Sequence, residues 1–218
     1  KFFFQNNIQL DLFKIHMDSE NLNLKRLGLI PSDIKQALNE YRKIKKKEIK
    51  LNENLIQAIS SHPYIVFHGN DNEAKGCHIA YEIAKYLPEY KFIFPFSKPK
   101  KRISKNCIFY PCSWETGLKD LVITANCVLN TSMWSAPIEG ALIKSILYNG
   151  ILITAKTSKA FFNEIPEELR LIYESPNSIK NIRNKLNDKK ELRNVKRGIQ
   201  SWIVKYYKGT DLSELFVF

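Results

Sequence analysis

WSAPIEGALIKSILYNGILIT, residues 134–154, reads as a loop, a helix and then a buried strand. Pro137 sits where a first helical residue tolerates a missing N–H, and Glu139 falls in the first turn, where a carboxylate suits the positive end of the helix. Ile138, Ala141, Leu142, Ser145, Ile146 and Asn149 recur at helical spacing, and Gly150 closes the helix before ILIT. CVLNTS, residues 127–132, is a short apolar run just upstream. Strand, loop, helix, glycine and strand in that order make one unit of a parallel sheet. In open parallel sheets, strand carboxyl ends facing helix N-termini hold anionic ligands, so residues 132–140 form a candidate ligand loop.

The same alternation extends in both directions. PYIVFHG (63–69) is a strand ending in glycine, NDNEAKG a turn, and CHIAYEIAKYLPEY a helix with Ile79, Ile83, Ala84 and Leu87 on one face, stopped by Pro88. KFIFPF (91–96) is the next strand, with Pro95 marking its end or an edge position. NCIFYP (106–111) is a third strand, WETGLKDLVITA a short helix, and LIYES (171–175) a sixth strand. The expected class is α/β, a Rossmann-like parallel sheet flanked by helices, with right-handed crossovers. Residues 62–175 would form that domain. Residues 1–61 would be a mainly helical N-terminal extension, with Ser32 or Asp33 capping IKQALNEYRKIKKKEIK, and 176–218 basic helices packing on or beside the sheet.

Lys and Arg outnumber Asp and Glu by 34 to 22, a formal charge of +12. Such a surplus favours an anionic partner: nucleic acid, a phosphorylated small molecule or an anionic membrane face. The charge is concentrated in segments 42–50 and 180–208, the second carrying ten cations against Asp188 and Glu191. Ile199, Trp202, Ile203 and Tyr206 form a helical stripe there, which reads as core before it reads as a membrane anchor. No apolar run approaches the roughly 18 residues of a spanning helix, and KFFFQNN is too short for a signal peptide. The expected compartment is therefore the cytoplasm. Cys77, Cys107, Cys112 and Cys127 lack the paired spacing of a zinc site and read as reduced thiols, and the four histidines are dispersed, so no metal is expected.

HGNDNEAKGCHIAYEIAKYLPEYKFIFPF resembles the first strand–turn–helix–strand of the donor-binding domain of GT-B glycosyltransferases, in the retaining group 1 / family 4 type. Gly69 and the pair Lys75-Gly76 fall at matching spacing. LKDLVITANCVLNTSMWSAPIEGALIKSILYNGILIT is similar to that family's helix, short strand, Ser/Pro loop, glycine-ended helix and strand. The resemblance covers roughly residues 63–154. It also has departures. Asn70 stands where the family usually has arginine, Ser145 where it has the second of two glutamates, and Glu139 is the only acid in the loop and helix.

The resemblance implies a transferase that moves a sugar from a nucleotide-sugar donor to a glycan or lipid-linked acceptor, with no cofactor or metal. Its donor would be held by Gly69, Asn70, Lys75, Gly76, Ser135, Pro137, Ile138, Glu139 and Gly140. The catalytic residue is unassigned, because the resemblance implies donor-phosphate assistance and not a conserved base. An enzyme of this type needs two domains, and the chain opens on Lys1, so residues 1–61 are expected to be a linker or the tail of an acceptor half. The basic segments would hold the protein on the inner face of a membrane.

Independently of any family, a nucleotide diphosphate needs backbone N–H groups at a helix N-terminus, a cation and an acceptor for ribose hydroxyls. Residues 69–76 and 135–140 could supply the first, Lys75 the second and Glu139 the third. Each has a plainer reading: Lys75 as a first-turn lysine, Glu139 as a helix-dipole partner, Ser132 and Ser135 as caps, Lys144 as a surface charge, and His68 as a satisfied half-buried histidine. A non-catalytic basic module for nucleic acid or a partner, or a degenerate transferase, are the alternatives. Charge alone supports nucleic acid, since the sequence has no recognition-helix, zinc-finger or single-strand-binding signature.

Overall fold

A computed structural model describes residues 2–4, 7–16, 24–26, 39–40, 43, 51–59, 62–100, 102–133, 140–157 and 160–208. At the N-terminus, β1 (Phe2–Phe4) and β2 (Leu24–Arg26) pair in parallel around α1 (Asn7–His16), a small sheet that the helical reading of residues 1–61 did not include. The helix expected after Ser32 lies outside the described residues except at 39–40 and 43, which are helical. α2 (Glu53–Ile59) leads into the main sheet.

That sheet comprises β3 (Tyr64–Phe67), β4 (Lys91–Phe94), β5 (Cys107–Phe109), β6 (Cys127–Asn130), β7 (Leu152–Ala155) and β8 (Leu171–Tyr173). The order is β5-β4-β3-β6-β7-β8, and every neighbouring pair is parallel. This is the doubly wound, Rossmann-like order. Pro95 ends β4, which lies inside the sheet; the edges are β5 and β8.

The helices are α3 (Cys77–Tyr86), α4 (Lys119–Thr124), α5 (Gly140–Tyr148), α6 (Ile179–Asn187) and α7 (Lys189–Lys208). Strand side chains alternate between two cores. Tyr64 and Val66 join Val128, Leu152, α4, α5 and α7 on one face, while Ile65 and Phe67 join Phe92, Leu129, Ile153, α3 and α6 on the other. Burial on both faces is why YIVF, CVLN and LITA run apolar without alternation. Phe67, Phe92 and Phe94 are fully buried, each contributing about 1.5–3 kcal/mol of transfer free energy.

On α3 and its C-cap the expected Ile83, Ala84 and Leu87 are buried, joined by Cys77 and Ala80, while Ile79 is half-buried at the margin of that face. α5 is buried nearly all round, because α7 covers the side turned away from the sheet: Ile199 and Ile203 enter its core, and Gln200 donates to the Leu147 carbonyl at 3.4 Å. The apolar stripe of α7 is therefore core. Trp202 and Tyr206 pack against it, and Lys189, Lys190, Arg193, Arg197 and Lys205 face outward.

Asn106, just before β5, fastens α3 to the sheet edge. Its Nδ2 donates to the carbonyls of Ala84 (2.9 Å), Leu87 (3.2 Å) and Tyr90 (3.0 Å), and its Oδ1 accepts from Ser104 Oγ at 2.6 Å. Asn106→Ala leaves buried carbonyls without a donor. It is expected to lower unfolding free energy by about 2–3 kcal/mol, seen as a lower urea midpoint at unchanged denaturant dependence.

Candidate functional site

The chain leaves β3 for α3 on one face and β6 for α5 on the other, so adjacent parallel strands send their helices apart. A crevice opens at the carboxyl ends of β3 and β6, the topological switch point where ligands of open α/β sheets bind. Two loops are stitched together beside it. Asn72 caps the short turn Glu73–Lys75 by accepting the Ala74 N–H at 2.8 Å, and Gly76 follows with φ 70°. From the other loop, Thr131 Oγ1 donates to the Gly76 carbonyl at 2.8 Å and the Met133 N–H to the Ala74 carbonyl at 2.8 Å.

The sequence-predicted residues divide into those the structure brings together and those outside its described residues. Gly69, Lys75 and Gly76 converge: a Cβ on Gly69 would lie 3.5 Å from Lys75 Cβ. Asn70 is exposed, and its Oδ1 accepts the Asn72 N–H at 3.2 Å, shaping the turn. Gly140 begins the described part of α5, and among the described residues nothing would lie within 4 Å of a Cβ placed on it. Ser135, Pro137, Ile138 and Glu139 lie outside the described residues.

Beneath these loops lies a buried polar cluster. Ser145 Oγ donates to the Ala141 carbonyl at 2.8 Å, which commits its one proton. Its lone pairs then accept from Asn130 Nδ2 at 2.9 Å and from His68 Nδ1 at 2.9 Å. The imidazole thus carries its proton on Nδ1 and leaves Nε2 as the basic nitrogen. His68 is only 8% exposed. Burial, then the charges of Lys144 and Lys75, push its pKa down to about 3, so it is neutral at neutral pH. Asn130 Oδ1 is buried and has no hydrogen-bond partner among the described residues.

An aromatic stack closes the cluster. Trp114 lies parallel to the His68 ring, centroids 5.3 Å apart and planes 4° apart, and Lys144 Nζ sits 4.6 Å from the centre of the indole. Tyr148, one turn beyond Lys144, meets the indole edge-on at 5.2 Å. The Tyr148 hydroxyl donates to Glu40 at 2.7 Å, and Glu40 also pairs with Lys119 at 3.6 Å. One face of the site is thereby tied to the N-terminal segment.

Sequence reasoning passed over Trp114 and Asn130, noted Ser145 only on the helix face and as a departure from the resembled family, and favoured Lys144 as a surface charge and His68 as a satisfied half-buried histidine. The available signals were an asparagine ending an apolar strand and a serine on the apolar face of a helix. A cavity of about 790 Å³ lies elsewhere, lined by His78, Tyr81, Lys85 and residues 102–105, and shares no residue with the crevice. The crevice is the stronger candidate because a buried polar cluster, two converging cations and the switch point coincide there. Among the described residues no three His, Cys, Asp or Glu side chains gather as metal ligands, and no helix is long and apolar enough to cross a membrane.

No protein-family model matches the sequence, and no curated protein matches it. Solved structures do match the fold. A UDP-forming α,α-trehalose-phosphate synthase from Burkholderia xenovorans, in complex with glucose-6-phosphate, aligns with TM-score 0.69 at 11% identity over 98% of this chain and 60% of its own. Sucrose-phosphate synthase from Thermosynechococcus elongatus aligns with TM-score 0.65 at 13% identity, over 94% and 53%. WaaG, a glycosyltransferase involved in lipopolysaccharide biosynthesis, aligns with TM-score 0.62 at 16% identity, over 98% and 60%. The chain spans little more than half the length of these proteins, and the likeness identifies its fold as a GT-B-like half.

Proposed function

We propose that this chain is the donor-binding part of a glycosyltransferase of the GT-B kind, belonging with the retaining group 1 / family 4 type. It would take a nucleotide sugar and transfer the hexose to a glycan or lipid-linked acceptor in surface polysaccharide or glycoconjugate synthesis. The carrying observation is the switch-point crevice, where the Lys75 and Lys144 charges converge on the neutral His68. Two cations beside a buried, uncharged polar cluster suit a diphosphate flanked by hydroxyl-bearing rings. The similar solved structures support the reading through their own activities.

On this reading residues 62–175 hold the donor, 1–61 belong to the acceptor side, and 176–218 brace the sheet. The nucleotide sugar is substrate, and no metal or cofactor enters. Any contact with an anionic membrane would run through segments 42–50 and 180–208, on the cytoplasmic face. In α7 it would be made by the outward cations Lys189, Lys190, Arg193, Arg197 and Lys205, the apolar stripe being already engaged in the core.

Thermal unfolding in the presence of UDP-, GDP-, ADP- and CMP-sugars tests the reading. One nucleotide class is expected to stabilise the protein, by about 2.7 kcal/mol when the ligand is at a hundredfold excess over Kd. Lys75→Ala should weaken that ligand by about tenfold, the loss of one charged phosphate contact. Glu139→Ala in parallel reports on the predicted ribose acceptor. Failure of every nucleotide sugar to stabilise a folded sample, with salt-steep binding of unrelated oligonucleotides instead, would overturn the proposal in favour of a nucleic-acid module.

A further inference from the structure

We infer that Lys144, held on the face of Trp114, is the second phosphate-binding cation of the crevice, and that Trp114 is the positioning residue that keeps it there. The inference rests on the donor-site reading above and adds to it a residue pair that no sequence motif marks.

The first support is placement. A solvent lysine loses rotamer entropy on being fixed, yet Lys144 Nζ lies 4.6 Å from the indole centre of Trp114. The indole is itself held on two sides, by the parallel His68 ring at 5.3 Å and the edge-on Tyr148 ring at 5.2 Å. Its backbone turn is fixed by Ser113, whose N–H donates to Thr116 Oγ1 at 2.7 Å. The ammonium therefore stands on a platform that is stacked against the residue following β3.

The second support is electrostatic. Lys144 and Lys75 approach the crevice from different helical segments, one on α5 and one in the turn before α3, and both charges are felt by the His68 ring. Like charges converging on a buried neutral cluster repel one another, and a bound anion relieves that repulsion. Among the described residues Glu115 feels Lys144, and its exposed carboxylate accepts from Ser113 Oγ at 3.0 Å. Among the described residues Lys144 forms no ion pair within 4 Å. Asn70 cannot serve as a second cation, being neutral and engaged in its own turn. A single lysine neutralises one phosphate charge of a diphosphate; two from different segments can each meet one phosphoryl group.

Calorimetric titration with UDP, GDP, ADP, CDP and inorganic pyrophosphate, each beside the matching nucleoside where one exists, tests this on the parent chain, Lys144→Gln, Lys144→Arg and Trp114→Leu. Lys144→Gln should weaken the bound diphosphate about tenfold and flatten its salt dependence, while leaving nucleoside affinity unchanged. Lys144→Arg should retain most of the affinity. Trp114→Leu, which keeps the charge and removes its platform, should lose about threefold. NMR of the His68 ring supplies a readout that a purely structural role would not move. Its pKa should rise when diphosphate binds to the parent, and should already stand higher in ligand-free Lys144→Gln. If the parent binds diphosphate and Lys144→Gln binds it equally well with an unchanged salt slope, the inference fails and the donor-site reading stands. If no diphosphate binds the parent at all, the donor-site reading fails and carries the inference with it.

Discussion

Gly76→Ala is expected to lower the thermal midpoint by about 10 °C, corresponding to about 4 kcal/mol for a chain of this size. Two costs combine. Gly76 has φ 70°, a left-handed conformation that an alanine adopts only with strain. A Cβ built there would also lie 1.9 Å from the Thr131 carbonyl oxygen and 2.7 Å from its carbon, so backbone must move to admit it. That movement breaks the hydrogen bonds joining the two loops of the crevice, Thr131 Oγ1 to Gly76 and Met133 N–H to Ala74. On the proposed donor-site reading, nucleotide affinity should therefore fall in step with stability, measured by calorimetry well below the midpoint. Gly150→Ala is the control. Gly150 also has positive φ, 81°, but its nearest neighbour is Lys196 Cγ at 3.0 Å, part of a side chain that can swing away. About 1–2 kcal/mol is expected there, with ligand binding intact.

Acid should weaken the protein through His68, at a rate of about 1.4 kcal/mol per pH unit. The imidazole titrates at about 3 in the folded protein, against an ordinary value of 6.5, because burial and the Lys144 and Lys75 charges disfavour its cation. Between those values the unfolded chain takes up a proton that the folded one refuses, so stability rises with pH across the window and is lost as pH falls from 6.5 towards 3. Above 6.5 the histidine is neutral in both states and contributes no slope. His68→Gln keeps a donor for Ser145 and removes the titration. Urea unfolding of both proteins from pH 4.5 to 8 should show a stability difference that is flat above about pH 6.5 and shrinks by about 1.4 kcal/mol per unit below it. Carboxylates common to both proteins cancel in that difference. A pH-independent difference would mean that His68 takes up its proton without opening the cluster.

The sheet was legible because its central strands are buried on both faces. An apolar tetrad such as YIVF or LITA between turn residues has few other readings, and the glycine-ended helix between CVLN and LITA fixed the parallel sense. The β1–β2 ladder was not legible, since LKR shows neither alternation nor β-branched residues. Within the site, Lys75 and Gly76 stood out through local spacing. The polar cluster did not, because His68 and Ser145 are 77 positions apart and each, taken alone, is an ordinary residue in an apolar setting. The departure at Ser145 acquires a physical sense in the structure: the hydroxyl that stands where the resembled family carries a glutamate is turned inward as the hub of His68, Asn130 and Ala141. A carboxylate there would face the same buried partners with a charge to solvate.

Ladders of the main sheet differ in how much chain they must close. Phe92 pairs with Cys107, Val128 with Leu152 and Ile153 with Leu171, each across a short connection, whereas Ile65 meets Cys127 only after the whole first half has been laid down. Closing the longer loop costs more chain entropy before its pairing repays any of it. Topology therefore favours β5-β4-β3 and β6-β7-β8 pairing before the seam between β3 and β6 shuts, an expected order that φ-values from core substitutions in β3 and β6 would check. That seam is also the floor of the crevice. On that order the crevice is completed last, so a nucleotide bound there as proposed would slow unfolding without hastening the chain's search for its native state.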